Sequence, residues 1–402
     1  MRGLAAGGSI LLSLLVGRMF GAGGLGMFAV FVTLLGALGI LSNQGLTPVL
    51  VRTIALEHAE GVRAARMMWA AMKSLGGVPL LAGAGGAALL VSGLLGRASL
   101  SSAAAFFMAL PLLTALSLMS GYLRGQGRTW AAPFFELSGI SLIAALVLSV
   151  VWWAGWSLEQ DMAPWFLLCA MLLAALVAGG ILWRDMQGAP LSAVMKGRKA
   201  RLEPGSGHFL MIALAGFLVQ AGSFLLAAPF LADKTLGIMR AVERLALLVS
   251  FAIPTIETVI APDVVRHAKR RERAALRRLI LWAIGVAGAI GAVPFLLLML
   301  FPAKFLGLAG PEFVPAAGYL RVMAFTHLLL LLLGPFITLM NMGGKERTAM
   351  WINLAALAAA VILFPALSFL FGASGFIAAY VIVTAGRALV IFGQSGFINR
   401  SW

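Results

Sequence analysis

The chain has 402 residues, of which 61% are hydrophobic and only 11% are charged, and its mean hydropathy is +1.01. A soluble domain does not need so much apolar sequence, whereas a protein that crosses a membrane repeatedly does, because each span requires about 20 mostly apolar residues. The net charge of +16 raises the question of nucleic acid binding. The basic residues, however, lie between apolar runs rather than on one solvated face with polar and aromatic groups, which argues against a nucleic acid partner.

Apolar runs separated by Gly, Pro and charged residues predict about twelve membrane-spanning helices. The first run follows Arg2 and resembles a signal peptide, but no small-residue cleavage site follows it and further spans come at once. It is therefore predicted to be the first span. Cys169 lies in an apolar segment and, as the single cysteine, has no partner for an intramolecular disulfide. The predicted spans are residues 3–20, 26–48, 68–94, 102–122, 131–155, 163–184, 208–231, 236–262, 277–302, 316–340, 349–371 and 373–395.

Two polar connections organise these spans. A charged loop is predicted between the second and third spans, from Arg52 to Lys73. The longest polar connection runs from Arg184 to Gly207 and ends in the flexible sequence Glu-Pro-Gly-Ser-Gly. It is the best domain boundary and divides the chain into two predicted bundles of six helices, residues 1–202 and 203–402.

The basic residues predict the orientation in the membrane. By these boundaries about 22 of the 30 Lys and Arg residues lie on the amino-terminal side and about four on the other side. Positively charged loops stay in the cytoplasm, so both termini are predicted to be cytoplasmic. This distribution also explains most of the net charge.

Short sequence motifs recur at an offset of about 211 to 219 residues, which indicates an internal duplication. Leu25–Met27 begins the second span and Leu236–Ile238 begins the eighth, both with a Leu-Gly pair. Near the ends of the same spans, Pro48–Arg52 and Pro262–Arg266 both read P-x-x-V-R. The offset equals six spans and preserves orientation. Two such halves are related by a pseudo-two-fold axis along the membrane normal and place a binding site at their interface.

Several motifs that usually indicate a cofactor or a catalytic site are misleading here or absent. Gly21–Gly26 satisfies G-x-G-x-x-G, but no strand precedes it and no suitable acid follows, so it is predicted to be a tight extracytoplasmic turn. The sequence has no phosphate-binding loop and no set of nucleophile, base and orienting group. No metal, cofactor or enzymatic activity is predicted. The histidines are too scattered for metal-ligand spacing, at His58, His208, His267 and His327.

Four segments resemble bacterial polysaccharide flippases, the O-antigen flippase branch of the multidrug/oligosaccharidyl-lipid/polysaccharide exporter superfamily. They are Arg18–Phe28, with R-M-F-G and G-L-G-M-F; Gly45–Arg52, with G-L-T-P; Leu236–Pro262; and Gly334–Glu346, with G-P, N-M and G-K-E. The resemblance covers essentially the whole chain through short, degenerate motifs. The lipid II flippase branch differs, because it typically carries two additional spans.

The resemblance implies a V-shaped pair of six-helix bundles around a central cavity that opens alternately to either side. It also implies a substrate, a polyprenyl-pyrophosphate-linked oligosaccharide, which is moved from the cytoplasmic to the outer leaflet of the bacterial inner membrane. The implied partners are this lipid-linked substrate, the surrounding membrane lipid and the polymerase or ligase proteins of glycan assembly.

Such a substrate has an anionic diphosphate, a hydrophilic glycan and an apolar tail, so its carrier needs cations inside the membrane. Charged side chains in a span are costly and normally face a bundle interior or a wet cavity. The candidate cations are Arg240, Arg244, Arg387, Arg18 and Arg321.

The positions of these arginines leave alternatives open. Arg240 and Arg244 lie one turn apart on one helix face, so they fit either a diphosphate or a structural salt bridge with the intervening Glu243. Arg18 and Arg321 lie near outer span ends, where a long side chain reaches the interface easily. Arg387 lies deeper, within the twelfth span.

Three carboxylates are candidates for coupling transport to an ion gradient: Glu257 in the eighth span, Glu136 in the fifth, and Glu243. Glu243 and Glu257 are 14 residues apart, which is about 21 Å along an ideal helix and about 40° around it, so they share a face unless Pro254 bends the helix. A structural counter-charge is the alternative role for each.

The predicted function is therefore a flippase for lipid-linked oligosaccharide that works by alternating access. A multidrug or metabolite cation antiporter of the same superfamily is the nearest alternative, although it would need an acidic cavity. An enzyme of glycan assembly would need large outer loops or clustered catalytic groups. A non-transporting component of a glycan-synthesis complex is the remaining alternative.

Overall fold

The computed structural model describes residues 2–95, 98–155, 159–186, 210, 214, 217–218, 221–270, 272–342 and 345–395. These residues are almost wholly helical and include no β-strand. The chain forms two compact units: the first contains Met1–Phe20 and Met27–Phe217, and the second contains Gly21–Gly26 and Leu218–Trp402. The predicted boundary between residues 202 and 203 lies outside the described residues.

The first unit packs around one long helix, α5. This helix contacts α2, α3, α4 and α7, and its small and apolar side chains, such as Ala105, Phe106 and Ala109, are fully buried there. The helices of this unit are α1 (Arg2–Asn43), α2 (Leu46–Leu56), α3 (Gly61–Leu75), α4 (Val78–Val91), α5 (Leu100–Gly125), α6 (Leu137–Trp153) and α7 (Ala163–Asp185).

Helix α1 contains the first two predicted spans, separated by a kink at Gly21. Gly21 has φ 70° and ψ −178°, a backbone conformation that a residue with a Cβ rarely adopts. The kink frees the amide of Ala22, which donates to Glu312 Oε1 at 2.6 Å, so this carboxylate caps the second half of the helix. The prediction of a turn over residues 21–26 was wrong, because the helix resumes immediately and buries Leu25.

The two Leu-Gly pairs of the predicted duplication lie against each other within the second unit. A Cβ added to Gly26 would be 1.8 Å from the Asp233 carbonyl oxygen, and a Cβ added to Gly237 would be 1.8 Å from the Ala22 carbonyl oxygen. Only glycine fits such a reciprocal backbone crossing, as at other small-residue contacts between membrane helices. Close packing of the two backbones therefore explains why glycine occurs at both positions.

The predicted charged loop from Arg52 to Lys73 is mostly helical, which corrects the sequence interpretation. Helix α2 continues to Leu56, and α3 begins at Gly61. Helix α3 buries one face, with Ala64 and Met68 inside, and leaves its basic residues on the other. An amphipathic helix of this kind has a low mean hydropathy, which is why it was mistaken for a loop.

The second unit packs around α13, which contacts α9, α10, α11 and α14. The helices of this unit are α8 (Ser223–Ala227), α9 (Asp233–Ser250), α10 (Ile253–Lys269), α11 (Arg273–Leu300), α12 (Pro302–Gly307), α13 (Ala317–Met342) and α14 (Glu346–Gln394). Helix α14 contains the last two predicted spans, separated by a kink at Gly372 with φ 59°.

Each unit contains a long helix that breaks shortly before a P-x-x-V-R sequence. Helix α1 ends at Asn43, and α2 carries Pro48 to Arg52. In the second unit α9 ends at Ser250, and α10 carries Pro262 to Arg266. Pro48 lies in the first turn of α2, whereas Pro262 lies inside α10, so the two motifs occupy different positions in their helices.

Seven helices in the described part of the chain are long and apolar enough to cross a membrane, or eight if α3 and α4, bent by 50°, form one span. Two of them, α1 and α14, contain two predicted spans each. The shorter helix α6 corresponds to the fifth span, and the seventh span, residues 208–231, is described only at residues 210, 214, 217–218 and 221–231. The predicted all-α, multi-pass membrane architecture is confirmed.

Candidate functional site

The charged face of α9 lies inside the second unit. Arg240 is 4% exposed and Glu243 is 5% exposed. Arg240 Nη1 donates to Glu243 Oε2 at 3.1 Å, and Arg244 Nε lies 3.6 Å from the same oxygen. One carboxylate therefore serves two guanidinium groups, which leaves one positive charge in excess on this helix face.

Aromatic side chains cover the Arg240 guanidinium. Its central carbon lies 4.9 Å from the ring centre of Phe224, a position suited to a cation–π interaction. Phe224 packs against Phe376 with ring centres 5.3 Å apart, and Phe376 packs against Phe364 at 5.4 Å. This aromatic layer holds the guanidinium in place on its apolar side.

Arg387 of α14 adds a third cation. Its Nη1 donates to Asn353 Oδ1 at 3.1 Å, which holds the side chain against the first half of the same kinked helix. Two buried guanidinium nitrogens, Arg387 Nε and Arg244 Nε, have no hydrogen-bond partner among the described residues. Such donors suit an anion, because an unsatisfied buried N–H is costly.

Tyr380 connects these arginines to a buried histidine. Arg240, Arg244 and Arg387 all act electrostatically on Tyr380. The Tyr380 hydroxyl lies 3.1 Å from His327 Nε2. We call the group formed by Arg240, Glu243, Arg244, His327, Tyr380 and Arg387 the arginine cluster.

His327 and Tyr380 were missed as site residues by the sequence interpretation. The histidines were tested only for metal-ligand spacing, which His327 lacks. The available signal was the position of His327 within an apolar span, where an ionisable side chain indicates function. No group of three or more His, Cys, Asp and Glu residues arranged for a metal ion occurs in the part of the chain that the structure describes.

Glu257 lies on α10, half-buried, and interacts electrostatically with Arg387. The helix that carries Glu243 and Glu257 is interrupted at Phe251 and Ala252, just before Pro254, although both residues keep right-handed helical backbone angles. The break precedes Pro254, which lacks the backbone N–H that a continuous helix needs there. Glu257 thus belongs with Arg387 rather than below the Arg240–Arg244 pair.

Two of the candidate cations are exposed. Arg321 donates from Nε to the Met299 carbonyl at 3.1 Å, at the end of α11. Arg18 lies in the first unit on α1, three residues before the Gly21 kink. Among the five predicted arginines, Arg240, Arg244 and Arg387 are brought together by the second unit.

Glu136 is not a buried carboxylate within a span, contrary to the sequence interpretation. It lies at the N-cap position of α6, because Pro133 and a short 3-10 helix delay the start of that helix to Leu137. Its side chain is half-buried, forms an ion pair with Arg124, and accepts from Ser120 Oγ at 2.8 Å.

The first unit contains a mostly apolar cavity with a few polar groups beside Glu136. Its volume is about 430 Å³. Hydroxyl and amide groups from α1, α2 and α5 face it, and Thr47 donates its amide to Asn43 Oδ1 at 3.0 Å. The polar lining residues are Asn43, Thr47, Ser117, Ser120 and Glu136.

No protein-family model and no curated protein matches the sequence. Solved structures do match it. The lipid II flippase MurJ in an inward closed conformation has a TM-score of 0.68 and 9% identity, over 97% of this chain and 85% of that chain. An inward-facing multidrug resistance MATE family transporter of the MOP superfamily has a TM-score of 0.66 and 15% identity, over 100% of this chain and 96% of that chain.

The MATE multidrug transporter DinF-BH has a TM-score of 0.63 and 18% identity, over 100% of this chain and 94% of that chain. The chain has the fold of these transporters. This likeness covers both units, so the predicted all-helical fold of a membrane transporter is confirmed. At these identities the likeness shows the fold and not the substrate, which has to be argued from the side chains of this chain.

Proposed function

We propose that the protein is a carrier that flips polyprenyl-pyrophosphate-linked oligosaccharide across the bacterial inner membrane by alternating access, with both termini in the cytoplasm. The observation that carries the proposal is the excess of buried positive charge in the arginine cluster. Three guanidinium groups from α9 and α14 share the carboxylates Glu243 and Glu257.

A buried cation without its own counter-ion destabilises a protein, so its presence needs a reason. A diphosphate is the ligand that would supply the missing charge. Guanidinium groups bind phosphate oxygens through paired N–H donors, and Arg244 and Arg387 each have a buried Nε available. The headgroup of a lipid-linked sugar therefore fits the arginine cluster.

The apolar tail remains in the surrounding membrane lipid, which many apolar side chains on the outside of the helices contact. Polymerase and ligase proteins of glycan assembly would receive the product.

A multidrug or metabolite cation antiporter is the second candidate, because two of the three neighbours described above are multidrug transporters. A cationic drug requires free carboxylate. Glu243 is engaged by Arg240 and Arg244, and Glu257 faces Arg387, so the arginine cluster repels cations. Uptake of cationic dyes into everted membrane vesicles distinguishes the candidates, since we expect none above the background of vesicles without the protein.

The test replaces the charges of α9 without leaving a buried ion alone. The triple variant Arg240→Gln, Glu243→Gln and Arg244→Gln keeps polar side chains of similar length. The double variant Arg240→Ala and Arg244→Ala removes the same cations but leaves Glu243 buried without a partner. We expect the triple variant to reduce flipping of lipid-linked oligosaccharide in proteoliposomes at least about tenfold, because each charge-assisted hydrogen bond contributes about 1.5–3 kcal/mol.

The matched control changes charged residues of the first unit, with Arg124→Gln and Glu136→Gln together. We expect this control to retain flipping and both variants to reach the membrane at equal levels. Normal flipping by the α9 triple variant would refute the anion-carrier function. Equal loss in the variant and the control would show a general sensitivity to charge removal instead.

A further inference from the structure

His327 connects three helices of the second unit through its two ring nitrogens. Nδ1 lies 2.8 Å from the hydroxyl of Ser250, the last residue of α9, and Nε2 lies 3.1 Å from the hydroxyl of Tyr380 on α14. The imidazole is buried at the break between α9 and α10. An ionisable group in this position is sensitive to any change in the surrounding charge.

One hydrogen-bond arrangement satisfies every hydrogen around the neutral imidazole. Tyr380 donates to Nε2, Nδ1–H donates to Ser250 Oγ, and the Ser250 hydroxyl donates to the Leu247 carbonyl at 3.5 Å. In the opposite tautomer the Tyr380 hydrogen needs another acceptor. The Nε2 lone pair, which the Tyr380 hydrogen occupies, is therefore the place where a proton would bind.

The charges nearest to this nitrogen come from α9 and α14. Glu243 acts electrostatically on both the imidazole and Tyr380. Arg240 and Arg244 both form ion pairs with the Glu243 carboxylate. Arg387 follows Tyr380 by about two helical turns on α14.

The other elements packed against α13 add little charge. Glu257 of α10 faces Arg387, and residues 279–300 of α11 include no ionisable side chain. Lys304 of α12 is exposed. Glu312, just before α13, accepts from the Ala22 amide and lies 3.7 Å from Lys234 Nζ. Among these charged groups, Glu243 is therefore the one whose state we expect to act on the imidazole.

We propose that His327 binds a proton together with the anion that Arg240 and Arg244 hold. This inference rests on the proposed function. An anion that takes the guanidinium donors releases Glu243, which then accepts the Tyr380 hydroxyl. Tyr380 keeps its own hydrogen and turns its oxygen lone pair to Nε2, where one proton taken up from the buffered solution forms the new N–H bond.

The resulting imidazolium offsets the charge of the released carboxylate. By linkage, anion binding increases proton binding and proton binding increases anion binding by the same factor. The proton in this scheme is a charge-balancing co-ligand, and it is bound when the anion is bound. An antiported driving proton would instead be released by anion binding.

Proton uptake by the purified full-length protein in lipid nanodiscs tests this inference, with inorganic pyrophosphate as the probe. Titration calorimetry at one pH in two buffers of different ionisation enthalpy gives the number of protons bound with each anion. We expect the unmodified protein to take up about one proton more than the His327→Gln variant. Glutamine still accepts from Tyr380 and donates to Ser250, and protonation of pyrophosphate itself is common to both proteins.

The matched control replaces the other three histidines by Gln and leaves the imidazole of α13 unchanged. We expect this variant, with His58→Gln, His208→Gln and His267→Gln, to take up the same number of protons as the unmodified protein. It also permits a measurement that needs no change at His327: nitrogen NMR of its single labelled imidazole. We expect imidazolium in the presence of pyrophosphate and neutral imidazole in its absence.

The outcomes separate this inference from the proposed function. Three results would refute the role of His327 and leave the anion site intact, provided that pyrophosphate binds. They are equal proton uptake by the unmodified protein and His327→Gln, release of protons on binding, and an imidazole that stays neutral. No pyrophosphate binding by the unmodified protein refutes the anion site and the linked proton together.

Discussion

The two units differ in where they bury charged residues. In the first unit, three acidic residues near helix ends each pair with one basic residue: Glu57 with Arg63, Glu136 with Arg124, and Asp185 with Arg128. In the second unit, Glu243 lies in the middle of α9 and is shared by Arg240 and Arg244.

This difference separates two reasons for having charge in a membrane protein. A pair at a helix end is close to the aqueous interface, where the free energy of desolvation is small and the pair contributes little. A shared carboxylate inside a helix bundle is costly to bury and strongly coupled to its neighbours. The ion pairs of the first unit therefore lie at helix ends, whereas the second unit also contains a buried, shared carboxylate whose pairing a ligand can change.

The largest effect on stability is expected for Glu243→Ala. Its side chain is 7% exposed, and its removal leaves Arg240 and Arg244 buried side by side without a carboxylate. We expect the free energy of unfolding in detergent micelles to fall by about 3–5 kcal/mol, as for other buried pairs that lose one partner.

Restoring charge balance should recover part of this loss. The triple Gln variant of α9 leaves no unpaired ion, so we expect it to be more stable than Glu243→Ala although it has more substitutions. A triple variant that is less stable than the single variant would contradict the assignment of the loss to buried unpaired charge.

A smaller effect is expected for Asp185→Ala in the first unit. The Asp185 carboxylate is 8% exposed, accepts from the Tyr122 hydroxyl at 2.9 Å, and accepts from Arg128 Nη1 at 2.8 Å. Its partner Arg128 is 45% exposed and regains water when the carboxylate is removed. We expect a loss of about 1–3 kcal/mol in the free energy of unfolding, chiefly from the Tyr122 hydroxyl.

If Asp185→Ala lowered the free energy of unfolding as much as Glu243→Ala, the loss would depend on burial of the carboxylate alone and not on whether its basic partner is buried. The matched variant Tyr122→Phe removes the hydroxyl together with its need for a partner. We therefore expect it to be less destabilising than Asp185→Ala, measured under the same conditions.

The sequence predicts the fold well where the signal is apolar length. Long apolar runs are not stable in water, and in lipid they form helices because a helix satisfies all of its own backbone hydrogen bonds. The all-α architecture therefore follows from hydropathy. Helix breaks are harder to predict. The kink at Gly21 depends on Glu312, which is distant in sequence and caps Ala22. Helix α3 was missed because its buried face is offset by charge on the other.

The candidate site was predicted in part for the same reasons. Arg240, Glu243 and Arg244 share one helix, so their spacing alone places them together. His327 and Tyr380 come from two other helices, and no local pattern relates them to α9. Glu136 was expected inside a span because Pro133, which delays the helix, is itself apolar. Contacts between helices are set by packing, which local periodicity does not encode.

Glu136→Gln tests the role of a half-buried residue at a helix end. The side chain is 34% exposed, and glutamine still accepts from Ser120 while losing the charge that attracts Arg124. We expect a change of about 1 kcal/mol or less in the free energy of unfolding and flipping within about twofold of the unmodified protein. A stable Glu136→Gln protein that no longer flips its substrate would show that the first unit also carries a coupling group.

The smallest effect is expected for Glu57→Ala, between α2 and α3. Glu57 is 40% exposed and accepts from Arg63 Nη2 at 2.5 Å, and Arg63 is 65% exposed. Water solvates both groups after the pair is broken, so we expect a change of at most about 0.5 kcal/mol, smaller still when salt is added to the unfolding measurement. If Glu57→Ala lowered the free energy of unfolding by several kcal/mol, as expected for Glu243→Ala, the proposed difference between the two units would be refuted.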